Sequence, residues 1–207
     1  MPVLKVLHKA TLPKTKPKLM SIDATGVDSW QRSRHYQKRV EQILERPVPM
    51  PYAKLDALVD TENMLVYDHV LKMKPRHDVI AAEAIFKRND FEKIKVLGDK
   101  GYDSEQLHKI IRQKKGIFYA PVRKSSRKRP KGCYRRKCVE KDTDCNMRNC
   151  SESVFHALKH RFIPNLKCRK HYLKKREMSW VIIMYNMITS IEGNLERIKL
   201  IILRMIA

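Results

Sequence analysis

Three acids stand out by their settings. Asp23 follows the short β-prone run 19–22, Asp99 follows the run 95–98, and Glu152 lies in a helix-prone stretch from about 150 to 162. Carboxylates brought together from separate elements are the hard oxygen ligands that a pair of Mg²⁺ ions, about 3.5–4 Å apart, requires. The spacing around Glu152 adds positive charge. On an ideal helix Arg148, Glu152 and Lys159 fall within about 40° of one face. A carboxylate flanked by two cations suits a phosphodiester: metal at the centre, positive charge on either side. The same residues also read as a solvated helix edge with Arg148 and Glu152 as an i,i+4 pair. Asn149 as an N-cap would exclude Arg148 from that helix.

The elements that must position these acids can be traced along the chain. Residues 1–18 form a basic, Pro-punctuated lead-in. The run 19–22 delivers Asp23 into a turn at 24–26, and 30–44 is a loop or short helix. Runs 54–59 and 64–73 make a hairpin across 60–63. Helical spacing covers 78–87 with Asp78 as N-cap, and His77 positions that cap. A strand at 95–98, a helix at 104–114 and a strand at 117–120 follow. Helices are expected at about 150–162, stopped by Pro164, at 177–192, and at 195–205 beyond Gly193. A strand and a hairpin followed by βαβ units predict an α/β fold, a mixed sheet flanked by helices. Strand ends are where such sheets assemble their sites.

Charge narrows the class of partner. The chain has 207 residues, 45 Lys and Arg against 22 Asp and Glu, and a formal charge of +23. Between 123 and 176, 19 basic residues face 4 acids, densest at Arg127, Lys128, Arg129, Arg135 and Arg136. Such a cluster binds phosphate backbones by counterion release. Pro130 and Gly132 keep it from forming the amphipathic helix of a membrane binder. With 43% hydrophobic residues the chain is no disordered tail. No apolar run is long enough to span a bilayer, and the first residues lack a signal peptide's pattern.

Five cysteines without a secretory signal read as reduced thiols. Cys133, Cys138, Cys145 and Cys150, spaced C-x4-C-x6-C-x4-C, offer a structural zinc site as a minor alternative, because the spacing is looser than the usual knuckle. His156 and His160 form an H-x3-H pair, and His156 borders the Glu152 face, where phosphate contact or plain solvation outweighs metal ligation. Trp30 packs as readily as it stacks on a base.

Taken together, these residues resemble the DDE transposases of bacterial and archaeal insertion sequences. Ser21-Ile22-Asp23-Ala24-Thr25-Gly26 is similar to that family's first-Asp strand. Leu97-Gly98-Asp99-Lys100-Gly101-Tyr102-Asp103-Ser104 is similar to its A-D-K-G-Y-D-S block. Arg148 through Lys159 fits the R-x3-E-x6-K part of its Y-x2-R-x3-E-x6-K motif. His77-Asp78, and Lys54-Leu55-Asp56 leading to Val59-Asp60, resemble lesser landmarks, and the likeness runs from about 19 to 191. Cys145 replaces the motif's Tyr, Gly98 a common Ala, and Asp56 a common His, the last two with little consequence expected. Only 22 residues precede Asp23, where family members usually carry a helical DNA-binding domain. The expectation is a catalytic domain alone, a truncated copy, or one part of a split reading frame.

The resemblance implies an RNase H-like catalytic domain over 19–192, with a basic, Cys-containing insert at about 121–147 and a helical tail at 193–207. It implies that Asp23, Asp99 and Glu152 are catalytic and hold two Mg²⁺ or Mn²⁺ ions. DNA would be gripped by Arg148, Lys159, Lys100 and Tyr102, and by Arg127, Lys128, Arg129, Arg135 and Arg136 of the insert. The activity implied is metal-dependent cleavage at the element's ends followed by strand transfer into target DNA. The protein would act as a homodimer on DNA, in a prokaryotic cytoplasm at the nucleoid, with no membrane partner. The alternatives are an inactive truncated transposase, a non-catalytic basic nucleic-acid-binding protein, or an RNase H-like nuclease that cuts without joining.

Overall fold

A computed structural model describes residues 2–29, 34–47, 52–74, 76–123, 131–138 and 143–206. Strands β1 (Leu19–Asp28), β2 (Tyr52–Asp60), β3 (Leu65–Lys72), β4 (Lys95–Gly98) and β5 (Ile117–Tyr119) form one sheet in the order β3-β2-β1-β4-β5. β1, β2 and β3 are antiparallel, whereas β4 and β5 continue the sheet parallel to β1. This is the mixed α/β sheet expected from the order of elements, in the RNase H-like arrangement that the resemblance implies.

The turn expected after Asp23 is absent. β1 runs on through Ala24-Thr25-Gly26 because β2 pairs with it as far as Asp28↔Tyr52. Asp23 is therefore mid-strand. Its parallel neighbour β4 pairs only as far as Ile22↔Gly98, so Asp23 and Asp99 both lie just past the end of that ladder.

Helices fill both faces of the sheet. α3 (Asp78–Arg88) and α4 (Glu105–Gln113) bury Ala82, Ile85, Phe86, Leu107, Ile110 and Ile111 against Met20, Ile22 and Leu58. On the other face, α6 (Cys150–Ala157) and α7 (His171–Ile206) bury Val154, Phe155, Met178, Ile182 and Tyr185 against Ala57, Val59 and Val66. Each of the Leu, Ile, Val, Phe and Met side chains among them contributes about 1.5–3 kcal/mol by leaving water. The remaining helices are α1 (Pro2–Ala10), α2 (Arg34–Leu44) and α5 (Cys133–Lys137). Trp30 lies outside the described residues.

Several helical boundaries differ from the sequence expectation. The lead-in contains α1, which packs on α7, and the imidazole Nε2 of His8 lies 2.9 Å from Val66 O. Asn186, fully buried on α7, accepts from Val66 N–H at 3.0 Å and donates to Val66 O at 2.9 Å. These contacts satisfy backbone groups of β3, the edge strand, which explains a polar residue in an apolar run. α7 starts at His171 and passes through Gly193, so 193–207 is no separate tail as far as the described residues reach. Asp78 is the first helical residue rather than the cap, and His77, at the cap position, makes no side-chain cap bond. No described helix is long and apolar enough to cross a membrane.

Candidate active site

The segment before α6 decides the geometry. Residues Thr143–Asn149 form a 3₁₀ turn that runs directly into α6, and Asn149 is helical (φ −62°, ψ −15°) with no side-chain cap. Arg148 therefore keeps its place one turn before Glu152. The junction is fixed to the sheet by two buried serines, Ser21 and Ser151, whose hydroxyls lie 2.6 Å apart. Ser21 Oγ also reaches Arg148 O at 3.3 Å. Ser21 shares a strand face with Asp23, two positions on, so the bond holds the Glu152 helix over that acid. Neither serine is among the residues that the sequence singles out for chemistry. Their signal was a hydroxyl two residues before one acid and another directly before Glu152.

The three acids gather around one guanidinium. Arg148 Nη1 lies 3.9 Å from Asp23 Oδ2 and 4.0 Å from Asp99 Oδ1, and Nη2 lies 3.9 Å from Glu152 Oε1. These are ion-pair distances, beyond hydrogen-bond length. Asp23 is largely shielded, and its Oδ1 accepts from Ala24 N–H at 2.8 Å. Burial pushes its carboxyl above the usual range. The Ala24 amide and Arg148 oppose that rise, and the charges of Asp99 and Glu152 add to it. Asp99 is half exposed, and its Oδ1 accepts from Lys100 N–H at 2.6 Å. Glu152, in the first turn of α6, is the most exposed of the three. The three carboxylates are hard oxygen donors of the kind that suits Mg²⁺ or Mn²⁺; with Arg148 among them, they do not close on one point as a ligand group for a single ion.

The turn after Asp99 is clamped from outside. Arg123 donates through Nε to Lys100 O at 2.7 Å and through Nη2 to Gly101 O at 2.8 Å. Asp103, with a side chain 1% exposed, accepts from Arg135 Nε and Nη2, each at 2.6 Å, and from Arg123 N–H at 2.9 Å. Burial works to raise the Asp103 carboxyl, but Arg135 and Arg123 outweigh it and hold it low. Glu105 accepts from Arg135 N–H at 3.1 Å, so the start of α5 is seated on α4. Gly132 is required there: its φ is +104°, and a Cβ would come within 2.2 Å of the Glu105 carboxylate.

Several expected DNA contacts change role. Tyr102 is 1% exposed and fills the core beneath the sheet, so it does not face DNA. Arg135 spends its guanidinium on Asp103 and is a structural staple. Lys100 and Arg136 are exposed. Lys159 sits in a π turn, Leu158–Phe162, that ends the Glu152 helix, which changes the regular offset on which the shared face was reckoned. Among the described residues no ion pair joins it to the three acids. Arg127, Lys128 and Arg129 lie outside the described residues.

The described cysteines lie in different surroundings. Cys133 is exposed and Cys150 half-buried, while Cys138 is buried with Leu97 and Tyr119, its Sγ 4.0 Å from His108 Nε2. The Cys145 side chain lies outside the described residues. Among the described residues no three His, Cys, Asp or Glu side chains converge as a cage for a single ion. His156 and His160 lie with ring centroids 4.2 Å apart, tilted by 35°, on the exposed side of the helix.

Comparison with known proteins follows this geometry. The chain is similar over 95% of its length, with a TM-score of 0.52 and 14% identity, to a piggyBac transposase solved by cryo-EM as a synaptic complex with hairpin DNA. At that identity the likeness is one of fold, and this chain covers 52% of that one, about half its length. No curated protein matches it significantly. A family model described as the transposase DDE domain matches residues 14–187, which include Asp23, Asp99, Arg148 and Glu152. The chain belongs to the DDE transposase family.

Proposed function

We propose that this chain is the catalytic domain of an insertion-sequence transposase that cleaves DNA at the element's ends and joins the freed ends to target DNA. The observation that carries the reading is the placement of Asp23, Asp99 and Glu152 around one guanidinium at 3.9–4.0 Å. Acids from a strand, a strand end and a helix, 53 or more residues apart in sequence, meet at a single positive charge.

The three carboxylates would hold two Mg²⁺ or Mn²⁺ ions. When bound, these ions supply Lewis acidity at the phosphate and lower the pKa of the attacking water. The chain's own residues supply position. Ser21 and Ser151 keep Glu152 over Asp23, and the Lys100–Tyr102 turn keeps Asp99 beside it. In cleavage, a water oxygen bonds to phosphorus as the P–O3′ bond breaks, leaving a 5′-phosphate and a 3′-hydroxyl. In transfer, that hydroxyl attacks a target phosphodiester and releases a new 3′-oxygen, with no net change in bond count. Arg148, once drawn from the acids, would grip a phosphate beside the scissile bond, with Lys100, Lys159 and Arg136 as further contacts, and the basic stretch Arg127, Lys128 and Arg129 would add charge for the backbone. The +23 charge supports DNA as the partner, and a homodimer would bring two ends together.

Nicking of supercoiled DNA by the purified chain in Mn²⁺ tests cleavage. A precleaved end carrying a free 3′-hydroxyl tests joining. Joined product from that substrate supports the transposase reading, and cutting without joining would replace it with a nuclease.

A further inference from the structure

A second polar cluster lies behind the acids, across the sheet. Asp56 stands opposite Ala24 in the β1–β2 ladder, one place from the Asp23↔Ala57 pair, so its side chain leaves the face away from Asp23. That face is the layer holding Ile22, Leu58 and Tyr102. Asp56 is fully buried, and neither carboxylate oxygen has a hydrogen-bond partner among the described residues. The buried hydroxyl of Tyr102 has none either. Lys54, on the same face two residues earlier, brings Nζ to 3.5 Å from Asp56 Oδ1 and pairs with Asp78 at the start of α3. The turn bearing Tyr102 presses on this cluster: a Cβ on Gly101 would come within 2.6 Å of Asp78 Oδ2.

Two buried orphans of complementary type in one layer call for an explanation. A buried carboxylate needs donors. The phenol of Tyr102 carries one O–H, a donor of the type the buried carboxylate lacks. Lys54 already supplies the local positive charge, and nothing in the cluster asks for a metal. Its link to the site is mechanical. Tyr102 N–H donates to Asp99 O at 2.9 Å, and Asp56 sits on β2, beside the residue that pairs with Asp23.

We propose that Tyr102 and Asp56 are positioning residues for Asp99: the Tyr102 hydroxyl donates to the Asp56 carboxylate across one water, and so fixes the turn that aims Asp99 relative to Asp23. The inference rests on Asp99 being a metal ligand. It also reverses the expectation that Asp in place of a common His at position 56 has little consequence.

The test is Mn²⁺ affinity of the full chain, read from the free-ion electron paramagnetic resonance signal, with Asp99→Asn as reference. Tyr102→Phe keeps the ring in the core and should weaken affinity by about tenfold, the range seen when a residue supporting a metal ligand is removed. Asp56→Leu should do the same, and the double variant should be no weaker than either single one. Asp56→Asn keeps an acceptor and should bind as the unaltered chain does. In nicking, Tyr102→Phe should raise the Mn²⁺ needed for half-maximal rate about tenfold, again the supporting-residue range, with the saturated rate retained. Unaltered Mn²⁺ affinity in Tyr102→Phe, with binding lost in Asp99→Asn, would overturn the positioning role and leave the metal reading standing. Equal binding by the unaltered chain and Asp99→Asn would overturn the metal reading and this inference with it.

Discussion

Arg148 reaches back across the junction of the 3₁₀ turn and α6 to place Nη1 3.9 Å from Asp23 Oδ2. The same guanidinium meets Asp99 and Glu152, so one arginine balances three carboxylates that would otherwise repel one another. On the proposed reading, divalent ions and this arginine would compete for the same charge.

Arg148→Gln should therefore lower the metal-free melting temperature by about 2–4 °C, the shift expected for ~1 kcal/mol in a chain of this size. Millimolar Mn²⁺ should restore most of that loss, giving the variant a larger metal-induced rise than the unaltered chain. Thermal melts with and without Mn²⁺ check this. Equal rises in both proteins would mean that Arg148 is not occupying the metals' place.

Asp56 predicts a pH effect of definite sign. Burial raises its carboxyl to about 6, with Lys54 opposing. The folded state then holds the proton more tightly than the unfolded one, so this group's contribution to stability falls as pH rises from about 3.8 to about 6 and stays low above. Asp56→Asn should be the more stable protein at pH 7, by up to roughly 3 kcal/mol, with the advantage gone near pH 4. Denaturant titrations at both pH values check it.

His69 predicts the opposite slope in nearly the same window. Burial, and then His8, lower its imidazole to about 4, and Nε2 lies 3.1 Å from the Ser179 hydroxyl. The folded state excludes a proton that the unfolded chain takes up below about 6.5, so stability is present above that pH and lost as pH falls towards 4. His69→Gln should flatten acid unfolding between these limits. Melting curves of the variant at pH 7 and pH 4.5 should differ less than those of the unaltered chain.

Neighbouring arginines of α5 should separate stability from binding. Arg135→Ala leaves the buried Asp103 carboxylate short of its bidentate partner, which should cost about 3–5 kcal/mol. Arg136→Ala, at an exposed position, should cost less in unfolding than Arg135→Ala and reduce the salt slope of DNA binding by about one. Paired unfolding and salt-titration measurements on both variants check the division.

The fold was largely legible because its signals are local. The β-rich runs, the Asp60–Asn63 stretch between them and the 3.6-residue spacing of α3 and α4 each announce an element without reference to the rest. Asp99 and Glu152 were legible for the same reason. What depends on partners was not. Ala24-Thr25-Gly26 looks like a turn until β2 pairs along it, and Gly193 looks like a stop until its helix is long enough to carry it. Tyr102 beside Asp99 suggested a contact with DNA, yet the short 3₁₀ turn swings its ring into the core. Arg135 belongs to a basic cluster, and only tertiary structure supplies the buried acid that claims it.

The central claim is that Asp23, Asp99 and Glu152 act together on a phosphodiester. The most direct measurement is nicking of supercoiled DNA in Mn²⁺ by the unaltered chain and by Asp99→Asn, with DNA binding followed in parallel. The account predicts nicked product from the unaltered chain, none from the variant, and equal binding by both. Nicking by Asp99→Asn at the unaltered rate would contradict it.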